Sequence, residues 1–342
     1  MFRRGRTIPG RYHNRRRRSL IRGQSSEVKS VRRRAQIRFL PDGRRLHLQD
    51  GPIDLIVEAF GEKSEIDIAY QAAAARFVTA LGELCSEINL LRLPAQIKAS
   101  PPNGVIARRM FEAVLPYCER AFITPMAAVA GAVAEEVLAA MTSAANLARA
   151  YVNNGGDIAL HLAPGEQFVV GMVERPDRPS LFGTATLKHA QPARGIATSG
   201  WRGRSFSLGI ADAVTVLAGR AAMADAAATI IANAVDLPGH PAVTRVPAHD
   251  LAPDNDLGAH LVTQNVGELS SEEISAALDA GAAVARSLFS TGLICSAALC
   301  LKGNNRIVNG LSERERCLDY SDLGEIEKVN RFSRDANLAR QF

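Results

Sequence analysis

The sequence predicts an α+β fold in which a mixed, largely antiparallel sheet packs against long helices in layers. Strand-like segments come in hairpin-like groups, long helical segments with periodic apolar residues separate those groups, and a repeating strand–helix–strand pattern is lacking. A chain of 342 residues that is 47% hydrophobic and 22% charged is ordinary for a protein that buries a core. We therefore expect one main folded unit, which we place at residues 35–310.

Local patterns predict the individual elements in chain order. Turn residues at Pro41-Asp-Gly43 and Asp50-Gly-Pro52 separate the first three strands and indicate an antiparallel start. The predicted strands are residues 35–40, 45–49, 53–60, 158–162, 167–174, 184–188, 195–198, 213–217, 260–265, 293–301 and 306–308. The predicted helices are residues 65–91, 104–118, 124–149, 221–235 and 270–289.

Two helix starts carry clear capping signals. Thr124 followed by Pro125 predicts a helix start, because Thr offers an acceptor to the first amides and Pro loses no needed donor there. The following residues are mostly Ala, Val and Leu, so we expect this helix to lie deep in the fold. Ser270 and Glu273 have the spacing of a capping box, in which each side chain satisfies the other's backbone amide.

Basic charge is concentrated at the N terminus. Residues 1–34 contain thirteen Lys or Arg against one acid, a balance of +12, whereas the whole chain carries +6, so residues 35–342 carry −6. Such a block of like charge repels itself and predicts a disordered tail, with phosphate contacts to nucleic acid as an alternative use. We predict that residues 311–342, charged and only sparsely apolar, form a peripheral C-terminal segment.

The sequence favours a cytoplasmic location. No apolar core of a secretory signal follows the N-terminal charges, and no segment reads as the 18 or more apolar residues of a membrane span. The five cysteines are odd in number and include no C-x-x-C pair, which favours buried free thiols over disulfides or a zinc site.

The run Asn153-Asn-Gly-Gly-Asp157 is the first candidate for a functional segment. Two consecutive glycines permit positive φ angles and leave backbone amides open to a phosphate or a sugar. The same letters also suit an ordinary helix-to-strand turn, and the residues alone leave both interpretations open.

Hydroxyl and carboxyl groups later in the chain suggest a metal and its phosphate ligand. Asp225 and Thr229 are four residues apart on a predicted helix and share a face, so both could offer oxygen ligands to Mg²⁺. An Asp near a helix start also serves as a dipole partner, which is the alternative. The segment from Thr198-Ser-Gly200 to Ser207 is either a flexible loop or a phosphate-contacting loop in which Arg204 supplies charge.

Taken together, these segments resemble the ApbE-like superfamily, whose founding members are Mg²⁺-dependent FAD:protein FMN transferases. The resemblance rests on an Asn-x-Gly-Gly-Asp turn, an A-T-S-G segment and a late A-D-x-x-x-T helix, here 224–229. It is closer to an uncharacterised prokaryotic branch with G-P-M-A-A-V-A-G, N-G-G-D, T-S-x-x-x-G-H-S-x-S-x-G-x-A-D and A-D-A-A-A-T motifs. It extends over about residues 35–310 and implies an ApbE-like fold.

The resemblance implies a role for each matching residue. Asp225 and Thr229 would be metal ligands together with the backbone carbonyl of Ala128, and Asp225 with Arg204 would act in catalysis. The residues implied to bind the flavin nucleotide, FAD or FMN, are Met126, Asn154, Gly155, Gly156, Asp157, Thr198, Ser199, Ser205 and Ser207. The implied partners are the flavin nucleotide and an acceptor flavoprotein, with no membrane and with a homodimer left open.

The chain departs from the transferases at two places. Their G-A-I-A-K-G segment reads Ala127-Ala-Val-Ala-Gly131 here, without the lysine, and residues 204–211 stand where they carry H-I-x-D-P-x-T-G. Within the closer branch, Thr124 replaces Gly and Arg204 replaces His, and Arg204 is a hypothetical substitute for the missing lysine. Three functions therefore stay open: FMN transfer from FAD to a hydroxyl of a partner protein, non-catalytic flavin binding or delivery, and nucleic-acid binding through the tail.

Overall fold

The computed structural model describes residues 35–173 and 181–309. The strands are β1 Gln36–Phe39, β2 Leu46–Asp50, β3 Ile53–Phe60, β4 Arg149–Asn154, β5 Asp157–Leu162, β6 Gln167–Val173, β7 Leu181–Lys188, β8 Gly195–Ser199, β9 Ala213–Ala218, β10 Val243–Pro247, β11 Leu261–Val266, β12 Ser296–Leu301 and β13 Asn304–Asn309. The α-helices are α1 Lys63–Ser86, α2 Ile88–Leu91, α3 Val105–Val114, α4 Val129–Ala144, α5 Ala221–Ala234, α6 Ala248–Leu251 and α7 Ser271–Ser290. Two short 3₁₀ helices are Leu115–Tyr117 and Pro125–Ala128.

Within these residues, one large sheet organises the fold. Its nine strands follow the order β1-β2-β3-β4-β5-β8-β9-β12-β13, and every neighbouring pair is antiparallel. Two antiparallel ribbons, β6–β7 and β10–β11, stand apart from that sheet. The predicted layered α+β fold is confirmed, and the sheet is antiparallel throughout rather than mixed.

The helices cover one face of the sheet, and strand register explains which residues they bury. Because side chains alternate along a strand, the paired residues Val152 and Ala159, and likewise Ala197 and Val216, point to the same face. All four are almost fully buried and join a core with residues of α1, α4, α5 and α7. A smaller apolar cluster centred on Leu160, Leu162, Leu187 and Ile196 lies apart from this core.

Several element boundaries differ from the sequence predictions. The helix predicted to run to 149 ends at Ala144, and the missed strand β4 follows it, so the glycine pair joins two strands rather than a helix and a strand. The predicted helix 65–91 is divided into α1 and the single turn α2, and the predicted helix 104–118 finishes as a 3₁₀ turn. Strand β10 and helix α6 were also missed. The predicted terminal segments, 1–34 and 311–342, lie outside the described residues.

The two capping predictions have different outcomes. Ser270 and Glu273 form the expected reciprocal capping box at the start of α7. The Thr124 side chain makes no cap hydrogen bond, because its hydroxyl donates to Asp256 on a distant loop. The prediction of buried thiols is wrong for Cys85, which is exposed, and right for Cys300.

One helical stretch of the described residues, Pro125–Ala144, is long and apolar enough to span a membrane by those criteria alone. This finding differs from the expectation that no stretch would qualify. In the fold, α4 packs against α1, α3, α5 and the sheet. It also carries Glu135 and Glu136, both bound to arginines of neighbouring helices. These contacts are those of a central core helix.

Candidate functional site

The glycine pair forms the tip of the β4–β5 hairpin. Asn154 pairs with Asp157, and the two loop residues have φ angles of +67° at Gly155 and +117° at Gly156, which residues with a side chain rarely adopt. The Asn153 side chain accepts a 2.8 Å hydrogen bond from the Gly156 amide. Asn154 donates to the carbonyl of Ala130 at 3.2 Å and so ties the hairpin to the first turn of α4.

Asp157 begins β5 directly after the glycines. Its carboxylate accepts a 3.1 Å hydrogen bond from the backbone amide of Thr198 on the neighbouring strand β8. Burial raises the pKa of Asp157 from 3.8 to about 7, against the opposing effect of that amide. The side chain is thus held in a place that disfavours its negative charge.

Asp225 lies one turn into α5 and faces the start of α4. Its carboxylate accepts a 3.0 Å hydrogen bond from the amide of Gly131. Burial raises the pKa of Asp225 well above its ordinary value, and the nearby charge of Asp157 raises it further. The two carboxylates are therefore neighbours, although they come from a strand and from a helix far away in the sequence.

A glycine makes this approach possible. A Cβ at Gly131 would lie 2.3 Å from the carbonyl oxygen of Ala221 and 2.7 Å from the amide nitrogen of Ala222. The absence of a side chain lets the first turn of α4 touch the first turn of α5. We call this contact between Gly131 and residues 221–225 the α4–α5 seam.

The Asp157–Asp225 pair fits a divalent cation. Among the described residues, both carboxylates accept hydrogen bonds from backbone amides and neither forms an ion pair with a cationic side chain. Thr229 lies one turn after Asp225 on the same helix and is partly exposed, while Ala128 is fully buried at the start of α4. Hard cations such as Mg²⁺ prefer carboxylate, hydroxyl and carbonyl oxygens and keep places for water and phosphate.

That donor set also limits the kind of metal. No cluster of three or more His, Cys, Asp or Glu side chains suited to a metal occurs in the described parts of the chain. With two carboxylates and no imidazole or thiolate, the pair suits an oxygen-seeking cation better than zinc or copper.

Arg204 lies over the glycine turn. A Cβ at Gly155 would come within 2.7 Å of its Nη1 atom, so the guanidinium is in contact with the hairpin tip. Arg204 is exposed, as is Ser205 beside it. The hydrogen bond from His47 lowers the pKa of Asp54, and the charge of Arg204 contributes to the same shift, which places Arg204 near β3 as well.

The loop that carries Arg204 is fixed by a buried aspartate. Asp212 accepts hydrogen bonds from Trp201 Nε1 at 3.2 Å, from Arg202 Nε at 2.5 Å and from the amide of Lys302 at 2.6 Å. The Arg202 guanidinium also stacks on the Trp201 ring, 4.3 Å from its centre. The motif containing Asp212 was visible in the sequence, but its role as the anchor of this loop was not.

The remaining predicted ligand residues are distributed around the site. The Thr198 hydroxyl is 2.9 Å from that of Thr215, on the sheet face opposite the helices, so only its backbone amide reaches Asp157. Ser199 ends β8 and is partly buried, and Met126 is partly buried in the 3₁₀ turn before α4. Ser207 is buried and hydrogen bonds to Asn233 at 3.3 Å.

The structure thus brings some predicted residues together and separates others. The hairpin Asn154–Asp157, Asp225 and the start of α4 meet at one place, and Arg204 reaches that place from a loop. The Thr198 and Ser207 hydroxyls are directed to other protein groups. Gly131, whose amide binds Asp225, lay within a recognised motif, but no pattern in the sequence identified the partner of its amide.

Comparisons with known proteins identify a family for this chain. A family model described as AbpE bacteria matches residues 37–307. The UPF0280 protein of Methanopyrus kandleri is 38% identical over 172 residues, 50% of this chain and 60% of that protein. The UPF0280 protein of Methanothermobacter thermautotrophicus is 40% identical over 122 residues, 35% and 45% of the two chains. The chain spans about half the length of the curated relatives it matches.

Solved structures give weaker matches. The flavin transferase ApbE from Vibrio cholerae has 13% identity and a TM-score of 0.33, covering 80% of this chain and 97% of that one. The apbe protein from Thermotoga maritima has 15% identity and a TM-score of 0.32, covering 75% and 78%. Scores this low add nothing to the sequence match. Because the family match runs from β1 to β13, the chain belongs to the AbpE bacteria family.

Proposed function

We propose that this protein binds a flavin nucleotide with Mg²⁺ and transfers FMN from FAD to a hydroxyl group of a partner protein. The observation that carries the proposal is the Asp157–Asp225 pair, two neighbouring carboxylates with raised pKa values whose partners within residues 35–173 and 181–309 are backbone amides. Such a pair is costly for the fold alone and is typical of a site built for a cation. The identity of the ligand as a flavin nucleotide is inferred from family membership and from the motif resemblance.

The chain's own residues would hold the ligand in the following way. Asp225, Thr229 and the Ala128 carbonyl would bind Mg²⁺ together with Asp157, and the open glycine turn would approach the nucleotide. Arg204, exposed over Gly155, would contact a phosphate as the cation that replaces the family lysine. When bound, Mg²⁺ supplies neutralisation of the charge on the pyrophosphate.

The proposed transfer exchanges one phosphorus–oxygen bond for another. The hydroxyl oxygen of the acceptor forms a bond to the FMN phosphorus, and the bond from that phosphorus to the bridging oxygen breaks. AMP leaves with the bridging oxygen, and the hydroxyl proton passes to solvent. The product is a phosphoester-linked flavin. The transfer needs no oxidant or reductant. Separately, the free thiols of the described cysteines fit the expected cytoplasmic location.

Calorimetric titration of the full chain with FAD, with and without Mg²⁺, tests the binding. We expect tight binding that requires Mg²⁺, and a loss of at least about 100-fold in Asp225→Asn, which keeps the shape of the side chain but removes its charge. Asp67→Asn is the matched control, because the Asp67 side chain on α1 is half exposed and pairs with Lys63. Binding that is independent of Mg²⁺ and equal in both variants would contradict the metal site.

A second candidate function is flavin binding or delivery without catalysis. The first turn of α4 carries Ala130 and Gly131 where the transferases have their lysine, and Arg204 is exposed on a loop. AMP release from FAD in the presence of candidate acceptor proteins separates the two functions. Release supports transfer, whereas tight Mg²⁺-dependent binding with no AMP and no labelled acceptor supports delivery.

Nucleic-acid binding through the basic N terminus stays a third prediction, since residues 1–34 lie outside the described residues. This hypothesis predicts that removal of residues 1–34 abolishes binding of an oligonucleotide and leaves binding of FAD unchanged.

A further inference from the structure

A cavity lies near the start of α4, outside the group of residues described above. It has a volume of about 370 Å³ and is lined by Pro94, Phe122 and the turn Asp256–His260. The exposed side chains of Leu93 and Leu261 directly adjoin two of these lining residues in the sequence. We call this feature the aromatic cavity. Its volume is in the range of small-molecule sites.

The lining of this cavity suits a flat ring. The rings of Phe122 and His260 pack with their centres 4.0 Å apart and a tilt of 38°. His260 is exposed, so the outer face of this pair is available for a further ring. Flat heterocycles stack on such aromatic surfaces, and the carboxylate of Asp256 adds an acceptor for a ring N–H.

The cavity is a formed feature, because side chains fix the backbone of its turn. Asn255 accepts hydrogen bonds from the amides of Leu257 at 2.6 Å and of Gly258 at 2.8 Å. The Gly258 carbonyl in turn accepts a hydrogen bond from the His249 amide at 2.9 Å. A turn held in this way loses little freedom when a ligand binds.

Two contacts join the aromatic cavity to the candidate site. The buried Thr124 hydroxyl donates to Asp256, and Thr124 directly precedes the 3₁₀ turn that leads into α4. That turn rises about 2 Å per residue, so its four residues separate the cavity from the start of α4 by roughly 8 Å. On the other side, the Thr263 amide donates to the carbonyl of Ser207 at 2.9 Å, in the loop that carries Arg204.

Position and chemistry together point to one occupant. We propose that the aromatic cavity binds the planar nitrogen heterocycle of the nucleotide whose phosphates lie at the Asp157–Asp225 pair. This inference rests on the proposed function, because it places one ring of the same ligand. Phe122 and His260 would stack on the ring, and Asp256, held by Thr124, would accept a hydrogen bond from it. FAD offers two such rings, adenine and isoalloxazine.

Titrations of the full chain with FAD, FMN and ADP, each with Mg²⁺, test this inference. His260→Ala and Phe122→Ala should each weaken FAD about tenfold, since a ring contact is lost. His260→Phe should restore the affinity because it restores the stacking surface. Phe39→Ala, at an exposed aromatic residue of strand β1, is the control and should leave the affinity unchanged.

The three ligands identify the ring. If adenine occupies the cavity, the variants weaken the binding of ADP and leave the binding of FMN unchanged. If isoalloxazine occupies it, they weaken the binding of FMN and leave the binding of ADP unchanged. Either result supports the proposal. If both alanine variants bind FAD as tightly as the unmodified protein while Asp225→Asn still loses affinity, the proposed role of the aromatic cavity is overturned and the proposed metal site is not. Absence of binding by the unmodified protein to all three ligands would overturn the proposed function and this inference together.

Discussion

Two pairs of carboxylates lie beside the α4–α5 seam, and they differ in the partners that surround them. Glu135 and Glu136, one turn beyond Gly131 on α4, are bound by arginines of three neighbouring segments. Glu135 also accepts a 2.8 Å hydrogen bond from the Ala222 amide at the start of α5. Asp157 and Asp225, at the other side of the seam, have backbone amides and each other.

The two pairs therefore differ in what they contribute to the stability of the fold. The glutamates are neutralised by Arg76, Arg109 and Arg220, so they stabilise the packing of helices without any added group. The aspartates are only partly exposed and have no described cationic partner, so their negative charges cost the fold stability. Under the proposed function, selection for binding rather than for stability would account for such an arrangement.

The largest expected effect on stability comes from a change in the glutamate pair, which arginines neutralise. Glu135→Ala removes the partner of Arg109 and Arg220 and leaves the Ala222 amide unbonded, so we expect the free energy of unfolding to fall by about 2–4 kcal/mol, allowing for the partial exposure of Arg220. Denaturant unfolding of the full chain measures this. Asp225→Asn should have the opposite sign in metal-free protein, because it removes the repulsion between the neighbouring carboxylates of Asp157 and Asp225. Loss of stability of similar size in both variants would refute the distinction.

A smaller effect is expected at the seam itself. Gly131→Ala places a methyl group 2.3 Å from the Ala221 carbonyl oxygen, so α4 and α5 have to separate, at a cost of about 1–3 kcal/mol. Because the Gly131 amide also binds Asp225, Mg²⁺-dependent FAD binding should weaken as well. Gly82→Ala on α1, where an added Cβ meets nothing within 4 Å, is the matched control. Equal stability of the two variants would show that the seam tolerates a side chain.

The pH dependence of stability should also distinguish the aspartate pair from the glutamate pair. The pKa of Asp157 is about 7 in the folded protein against an ordinary 3.8, so its contribution is fully present below about pH 4 and is lost as the pH rises through 7. For one proton in metal-free protein, the expected slope approaches about 1.4 kcal/mol per pH unit between about pH 5 and 6 and falls to about half of that at pH 7. Thermal unfolding between pH 5 and 8 measures it. Asp157→Asn should flatten the slope, and Mg²⁺ should restore stability at high pH; a flat profile in the unmodified protein would contradict the raised pKa.

The smallest effect is expected at Arg204. This residue is exposed and contacts the hairpin tip, so Arg204→Ala should leave unfolding unchanged within about 0.5 kcal/mol. It should weaken FAD by about tenfold if the guanidinium contacts a phosphate. Arg204→Lys, which retains the charge, should recover most of that affinity, and Arg92→Ala is a control on a partly exposed arginine. Unchanged FAD affinity in Arg204→Ala would exclude it as the substitute for the missing lysine.

Sequence patterns predicted most of the elements that surround the site. The positions of β5, β8, β9 and α5 agree with the structure within a few residues, because their apolar periodicity is local. Strand β4 was missed because the long run of alanines before it continues a helical pattern, whereas its pairing with β3 is a long-range contact. The same limit applies to Thr124, whose hydroxyl prefers Asp256 to the local amides.

The sequence by itself determined the family motifs, the glycine pair and the capping box of α7, since each depends on residues a few positions apart. Only the tertiary structure decided that Asp157 and Asp225 become neighbours and that Glu135 caps α5. Those contacts follow from strand register and from the close packing that Gly131 permits. The physical reason is that a residue's local conformation depends on its neighbours in the chain, whereas the partner of its charge depends on which surfaces the core brings together.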